Sequence, residues 1–164
     1  MDKRDTNPEM DQLAHLVRML RLKRIDEHTF EGDSEDLGWG TLFGGHVLGQ
    51  ALSAAAQTVP EDRFVHSLHA YFMQAGRVDV PIRYTVERLR DGRSFLTRRI
   101  TASQGDSPIF CVSASFHGRE PGFVHQTQMP KVAPPSALVS ELDLARNVRG
   151  ALPEKLRKAA LKPR

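Results

Sequence analysis

The chain has 164 residues, 40% hydrophobic and 26% charged, the size of one domain with enough apolar content to bury a core. No run of 18 or more apolar residues occurs, which excludes a transmembrane helix, and the charged stretch from Met1 to Asp11 does not read as a secretory signal peptide. A single cysteine, Cys111, excludes an intramolecular disulfide framework and a multi-cysteine zinc site. The default expectation is therefore a soluble, cytoplasmic protein of a reducing compartment. The net charge of +3 is concentrated at one end. From Glu141 to Arg164 there are seven basic and three acidic residues, so the body before it is slightly acidic. A basic tail of that kind reads as a solvated helix face, and no nucleic-acid partner is expected.

In chain order, residues 1–11 are polar and are expected to be disordered. Leu13, Leu16, Val17 and Leu20 recur at i, i+3, i+4 and i+7, which predicts a short amphipathic helix. Arg24 to Asp36 reads as a weak strand around Thr29 and Phe30, followed by an acidic loop. The one long core-type helix is predicted over Phe43 to Val59, ended by Pro60. Val47, Leu48, Ala51, Leu52, Ala55 and Val59 make its apolar stripe. His46, Gln50, Ser53 and Gln57 make a second, polar stripe, and Gly44 and Gly45 stand at the helix start.

Four strand-like runs follow, Phe64 to Met73, Ile82 to Leu89, Ser94 to Ser103 and Ile109 to Phe116. Asp91-Gly92 and Gly105-Asp106 supply turn signals between them. Consecutive strands with tight turns pair antiparallel, and a single long helix must then cover one face. The fold class is α+β, with no βαβ repeat. From Gln126 to Pro135 the chain reads as a linker, and Glu141 to Leu161 as helical, broken by Gly150 and Pro153.

Most catalytic motifs are absent: there is no G-x-S-x-G elbow, P-loop or H-E-x-x-H. Of the seven histidines only His66 and His69 are close in sequence, and three residues apart on a strand they should point to opposite faces. Cys111, in an apolar β run, reads as a buried inert thiol. Two features remain. The Gly44-Gly45 helix start leaves backbone N–H groups without intrahelical partners, where the helix dipole favours developing negative charge. It reads equally as a tight loop-to-helix turn. On the strand from Val65 to Phe72, Ser67, His69 and Tyr71 share one face, with His66 on the other.

Several blocks carry a family resemblance. S-E-D-L-G (Ser34 to Gly38), F-G-G-H-V-L-G-Q-A-L (Phe43 to Leu52), V-H-S-L-H-A-Y-F (Val65 to Phe72) and L-R-D-G-R-S-F-L-T-R-R (Leu89 to Arg99) come first. S-A-S-F (Ser113 to Phe116) and E-P-G-F-V-H-Q-T-Q-M-P (Glu120 to Pro130) follow in order. Together they resemble the acyl-CoA thioesterase II family. The resemblance implies a hotdog fold, a long central helix wrapped by an antiparallel sheet. It places a hotdog repeat at 12–125, and a linker with a C-terminal helical segment at 126–164. Family members carry two such repeats in tandem, and this chain resembles the first. The implied activity is hydrolysis of fatty acyl-CoA to free fatty acid and CoA, with no metal, nucleotide or redox cofactor.

The family's Asp, Thr and Gln trio belongs to the second repeat and has no counterpart here. The V-H-S histidine, His66, is the one candidate catalytic residue that carries over. Gly44, Gly45, His46, Gln50, Ser67, His69 and Tyr71 are expected to line an acyl or pantetheine channel, with Arg98 and Arg99 as candidates for CoA phosphates. A lone repeat leaves a sheet edge unpaired, so a homo-oligomer is expected. The rival reading is a non-catalytic acyl-CoA-binding or assembly module. An enoyl-CoA hydratase is disfavoured, because no Asp and His pair follows a Gly-Asp motif at a helix start.

Overall fold

The computed structural model describes residues 8–148, which fall into two compact units dividing after Glu120. The first unit opens with helix α1, Pro8–Met19, then two short strands, β1 (Lys23–Arg24) and β2 (Thr29–Gly32). Helix α2 spans Gly44–Ala56, and four long strands follow. These are β3 (Phe64–Phe72), β4 (Ile82–Asp91), β5 (Phe95–Gln104) and β6 (Ser107–His117). All six strands form one antiparallel sheet in the order β1-β2-β4-β5-β6-β3. This is the expected α+β hotdog arrangement, a long helix laid across one face of an antiparallel sheet.

The alternation of the strands decides which face is buried. On β5 and β6 the even-numbered residues Leu96, Ile100, Ala102, Phe110, Val112, Ala114 and Phe116 are buried, and Ile82, Tyr84 and Val86 continue that layer on β4. Helix α2 answers with Val47, Ala51, Ala54 and Ala55. The three alanines contribute little side-chain bulk, so the helix axis lies close to the sheet. The opposite, outer face carries Thr85, Glu87, Arg99, Ser113 and their neighbours, all more exposed. Cys111 is on that outer face and only half-buried, because it alternates with Phe110 and Val112; the expectation of a buried thiol is corrected.

The hairpin turns form where the sequence signals them. Gly92 donates its N–H to the Phe95 carbonyl at 3.0 Å in the β4–β5 turn. Gly105, in the β5–β6 turn, adopts φ +62°, a conformation that a tight hairpin demands and a β-carbon resists. Boundaries shift in two places. α1 begins at Pro8, so residues 8–11 are helical, not disordered; proline suits a first helical turn, where its missing N–H costs nothing. α2 ends at Ala56, and residues 57–59 form a tighter turn in which Thr58 and Val59 donate to the carbonyls of Ala55 and Ala56.

The second unit begins with irregular chain, makes a short 3₁₀ turn at Pro135–Ala137 and enters helix α3, Glu141–Val148. Ser140 caps that helix: its Oγ accepts the Asp143 N–H at 3.1 Å and donates to the Asp143 carboxylate at 2.7 Å. The remainder of the helix expected to Leu161, with Gly150, Pro153 and the basic tail, lies outside the described residues. Among the described residues no helix is long and apolar enough to cross a membrane.

Candidate active site

The start of α2 is built by close approach. Phe43 caps the helix only through its carbonyl, which accepts from His46 at 3.0 Å and Val47 at 3.3 Å. The amides of Gly44 and Gly45 precede those bonds and have no intrahelical acceptor. Neither glycine has a positive φ; what they provide is room. A β-carbon on Gly44 would stand 2.9 Å from the Phe72 ring, and one on Gly45 would stand 2.5 Å from the Phe43 ring. Beside Gly44 opens a largely apolar cleft of about 250 Å³ between Leu42, Val47, Phe72, Met73, Ile109 and Phe110, with Gln74 as its polar side chain. Gly44 lines this cavity, and backbone N–H groups left free at a helix start are the kind of donor an oxyanion site needs.

The polar stripe of α2 does something different from what its spacing suggests. Gln50 is fully buried: its amide donates to the carbonyls of Met19 (2.6 Å) and Asp33 (3.1 Å) and its oxygen accepts the Tyr84 hydroxyl at 2.8 Å. Ser53 donates to the Leu20 carbonyl at 2.7 Å. Both side chains therefore bind the orphan carbonyls at the end of α1, holding that helix to the domain. Gly32 is matched to this arrangement, since a β-carbon there would run into the Gln50 side-chain amide oxygen. Gln57 donates back to the Ser53 carbonyl on the helix surface. Burial of Tyr84 raises its hydroxyl pKa far above the ordinary phenol value, so it stays a donor. Gln50 is thus a structural residue of the interior, and no amide proton of it remains for a ligand.

His46 shares the stripe. Its Nε2 is buried without a hydrogen-bond partner among the described residues, and desolvation lowers its pKa despite the opposing fields of Glu35 and Asp33. The imidazole is therefore held neutral, beside the loop that follows β2.

The β3 segment departs from simple alternation. Val65 pairs with Phe116 and Ser67 with Ser115, so His66 is an extra residue in a β-bulge. From Ser67 onward the register places Ser67, His69 and Tyr71 opposite the outward residues Ser115, Ser113 and Cys111. The bulge also turns the His66 ring outward: Nε2 lies 2.8 Å from Ser115 Oγ, with the His117 ring 4.7 Å and the Phe95 ring 5.7 Å away. His66 and His69 thus share the outer face; the expectation of opposite faces is corrected, because the count of alternations did not include the extra residue. All of this lies across the sheet from α2 and its cavity.

The two arginines separate by parity. Arg98 points to the helix side and is 1% exposed. Its guanidinium donates to Thr58 Oγ1 and to the carbonyls of Thr58, Arg90 and Thr97, and pairs with Asp91. No donor of it faces a CoA phosphate; it ties the β4–β5 hairpin to the end of α2. Arg99 is on the outer face, half-exposed, 4.0 Å from Glu87. Of the expected binding residues, only Gly44 lines the cavity, with Gly45 next to it in the chain. The cavity walls Phe72, Met73 and Ile109 went unread, although F-M and I-F at the ends of two predicted strands were visible.

A helix whose uncovered start opens on an apolar cavity, laid across one antiparallel sheet, defines a hotdog-type domain. A hot dog fold protein from Alicyclobacillus acidocaldarius, 23% identical, superposes with a TM-score of 0.65 over 76% of this chain and 48% of its own. An acyl-CoA thioesterase II from Mycobacterium marinum, 40% identical, matches with a TM-score of 0.67 over 74% of this chain and 45% of its own. Acyl-CoA thioesterase 2 of Haemophilus influenzae is 46% identical over 89% of this chain and 51% of its own length. The family model for the acyl-CoA thioesterase N-terminal domain matches residues 34–117, about half of the chain. The chain belongs to the acyl-CoA thioesterase family, as an N-terminal domain. It spans about half the length of the curated relatives it matches.

Proposed function

We propose that this chain is the N-terminal hotdog half, residues 12–125, of an enzyme that hydrolyses fatty acyl-CoA thioesters to free fatty acid and CoA. The observation that carries the reading is the uncovered α2 start at the mouth of the 250 Å³ apolar cavity. There the Gly44 and Gly45 amides would receive the thioester oxygen as it becomes an oxyanion, while the apolar walls take acyl or pantetheine methylenes. Water attack also needs a positioned base, and α2 carries no Asp or Glu. The chain in this reading supplies the oxyanion side of a site that a second repeat completes.

Assembly follows from the sheet. β3 is an edge strand, nine residues long, and every residue of it but Ala70 is exposed, including Phe64, Val65, Leu68, Tyr71 and Phe72. A long apolar edge demands a cover. In the reading proposed here that cover is a second hotdog repeat or, for this chain alone, a second copy, giving a homo-oligomer; the compartment is the cytoplasm. The alternative of a non-catalytic acyl-CoA-binding module is favoured by the missing carboxylate. Equilibrium binding of an acyl-CoA to the full chain tests the site: wild type binds, and Gly44→Val, which puts an isopropyl group at the cavity mouth, weakens binding at least about tenfold with the fold retained. Equal affinity in the two proteins overturns the assignment of the site.

A further inference from the structure

On the outer face, Ser115 and His66 form a nucleophile–base pair that the thioester site described above does not use. We propose that Ser115 is a nucleophile activated by His66, and that it accepts an acyl group from thioesters and other activated esters. Three observations converge on it. First, the 2.8 Å contact between Ser115 Oγ and His66 Nε2 is the geometry in which a neutral imidazole takes a hydroxyl proton. Second, this contact exists only because the bulge at His66 re-aims the ring toward β6, and bulges of this kind gather at functional sites. Third, the imidazole is held in place by ring contacts with His117 and Phe95, at centroid distances of 4.7 and 5.7 Å.

The same rung of the sheet supplies polar neighbours. Ser115 is the cross-strand partner of Ser67 on β3 and of Thr97 on β5, so two further hydroxyl-bearing residues flank it on the outer face. Either hydroxyl can donate to a carbonyl oxygen that approaches Ser115. With the ring proton on Nδ1, Nε2 accepts the Ser115 O–H. Attack of Oγ on the carbonyl carbon forms the C–O bond as that proton passes to His66. Collapse of the tetrahedral adduct breaks the bond to the leaving thiolate or phenolate, which takes the proton back from the imidazolium. The products are O-acyl Ser115 and the free thiol or phenol, with no change in oxidation state. No carboxylate is in hydrogen-bond contact with His66 among the described residues, so the pair is a dyad suited to slow, single acylation and not to rapid turnover.

This inference is independent of the reading of the α2 site, and its test can be kept apart from that site. The full chain is incubated with p-nitrophenyl acetate, followed by intact mass and peptide mapping. The expected result is one acetyl group on Ser115. Ser115→Ala abolishes it, His66→Gln slows it at least about a hundredfold, and the control Ser113→Ala leaves it unchanged. Gly44→Val also leaves it unchanged, which separates this site from the cavity. Absence of label on Ser115 in the wild-type chain overturns the proposal whatever the variants do, as does full-rate labelling in His66→Gln.

Discussion

Two polar series in this molecule look alike on paper, and the fold uses them in opposite ways. The helix series His46, Gln50, Ser53 and the strand series Ser67, His69, Tyr71 both repeat at the period of their element, and a bulge adds His66 to the second. On α2 two of those side chains face backbone carbonyls at the end of α1, and Gln50 is fully buried. On β3 they face outward, and only His66 meets a side-chain hydroxyl of another strand. Spacing says which residues share a face. Whether that face meets a ligand or an orphan carbonyl is decided by where neighbouring segments end.

The comparison predicts unequal costs, and the largest belongs to Gln50. Gln50→Leu leaves the buried Tyr84 hydroxyl without its acceptor and takes a donor away from the Met19 and Asp33 carbonyls, a destabilisation on the order of 3 kcal/mol, read as a fall in the urea midpoint. If Gln50→Leu unfolds at the wild-type midpoint, the helix series is not internal. Ser53→Ala removes one hydrogen bond from α1 and costs about 1 kcal/mol, with the loss visible as faster amide exchange in α1. His66→Gln and Ser115→Ala, on the exposed face, change stability by no more than about 0.5 kcal/mol. An outer-face variant as damaging as Gln50→Leu would erase the distinction between the two series.

A finer probe is His46. Its folded-state pKa is lowered by desolvation, so the folded chain favours the neutral ring more than the unfolded chain does. The stability it contributes is present above the unfolded histidine value of about 6.5 and is lost as pH falls through the lower folded value. The urea midpoint of the wild-type chain therefore drops between pH 8 and pH 5 by more than that of His46→Gln. Identical pH dependence in the two proteins would show that His46 is solvated in the folded state.

Much of this architecture was legible because burial acts on period. The 3.6-residue stripe of α2 and the period-2 runs of β4 to β6 are direct consequences of one wet and one dry face. Three things were not legible, each for a physical reason. The bulge at His66 adds a residue without any glycine or proline to mark it, so the face of His66 inverted. Arg98 reads like Arg99, yet parity sends one guanidinium into the interior, where four oxygen acceptors and Asp91 await it. The cavity depends on Phe72 and Ile109 meeting across two strands beside α2, which is tertiary information.

The central claim is that this chain brings the oxyanion donors of a thioester site but no base for the attacking water. Acyl-CoA hydrolysis by the pure 164-residue chain, measured beside a chain carrying both repeats, tests it most directly. The prediction is that the two-repeat chain turns over and the single repeat is slower by about 10²- to 10⁴-fold, the worth of one general base. Equal rates for the two chains would contradict it, because the base would then have to come from the residues described here.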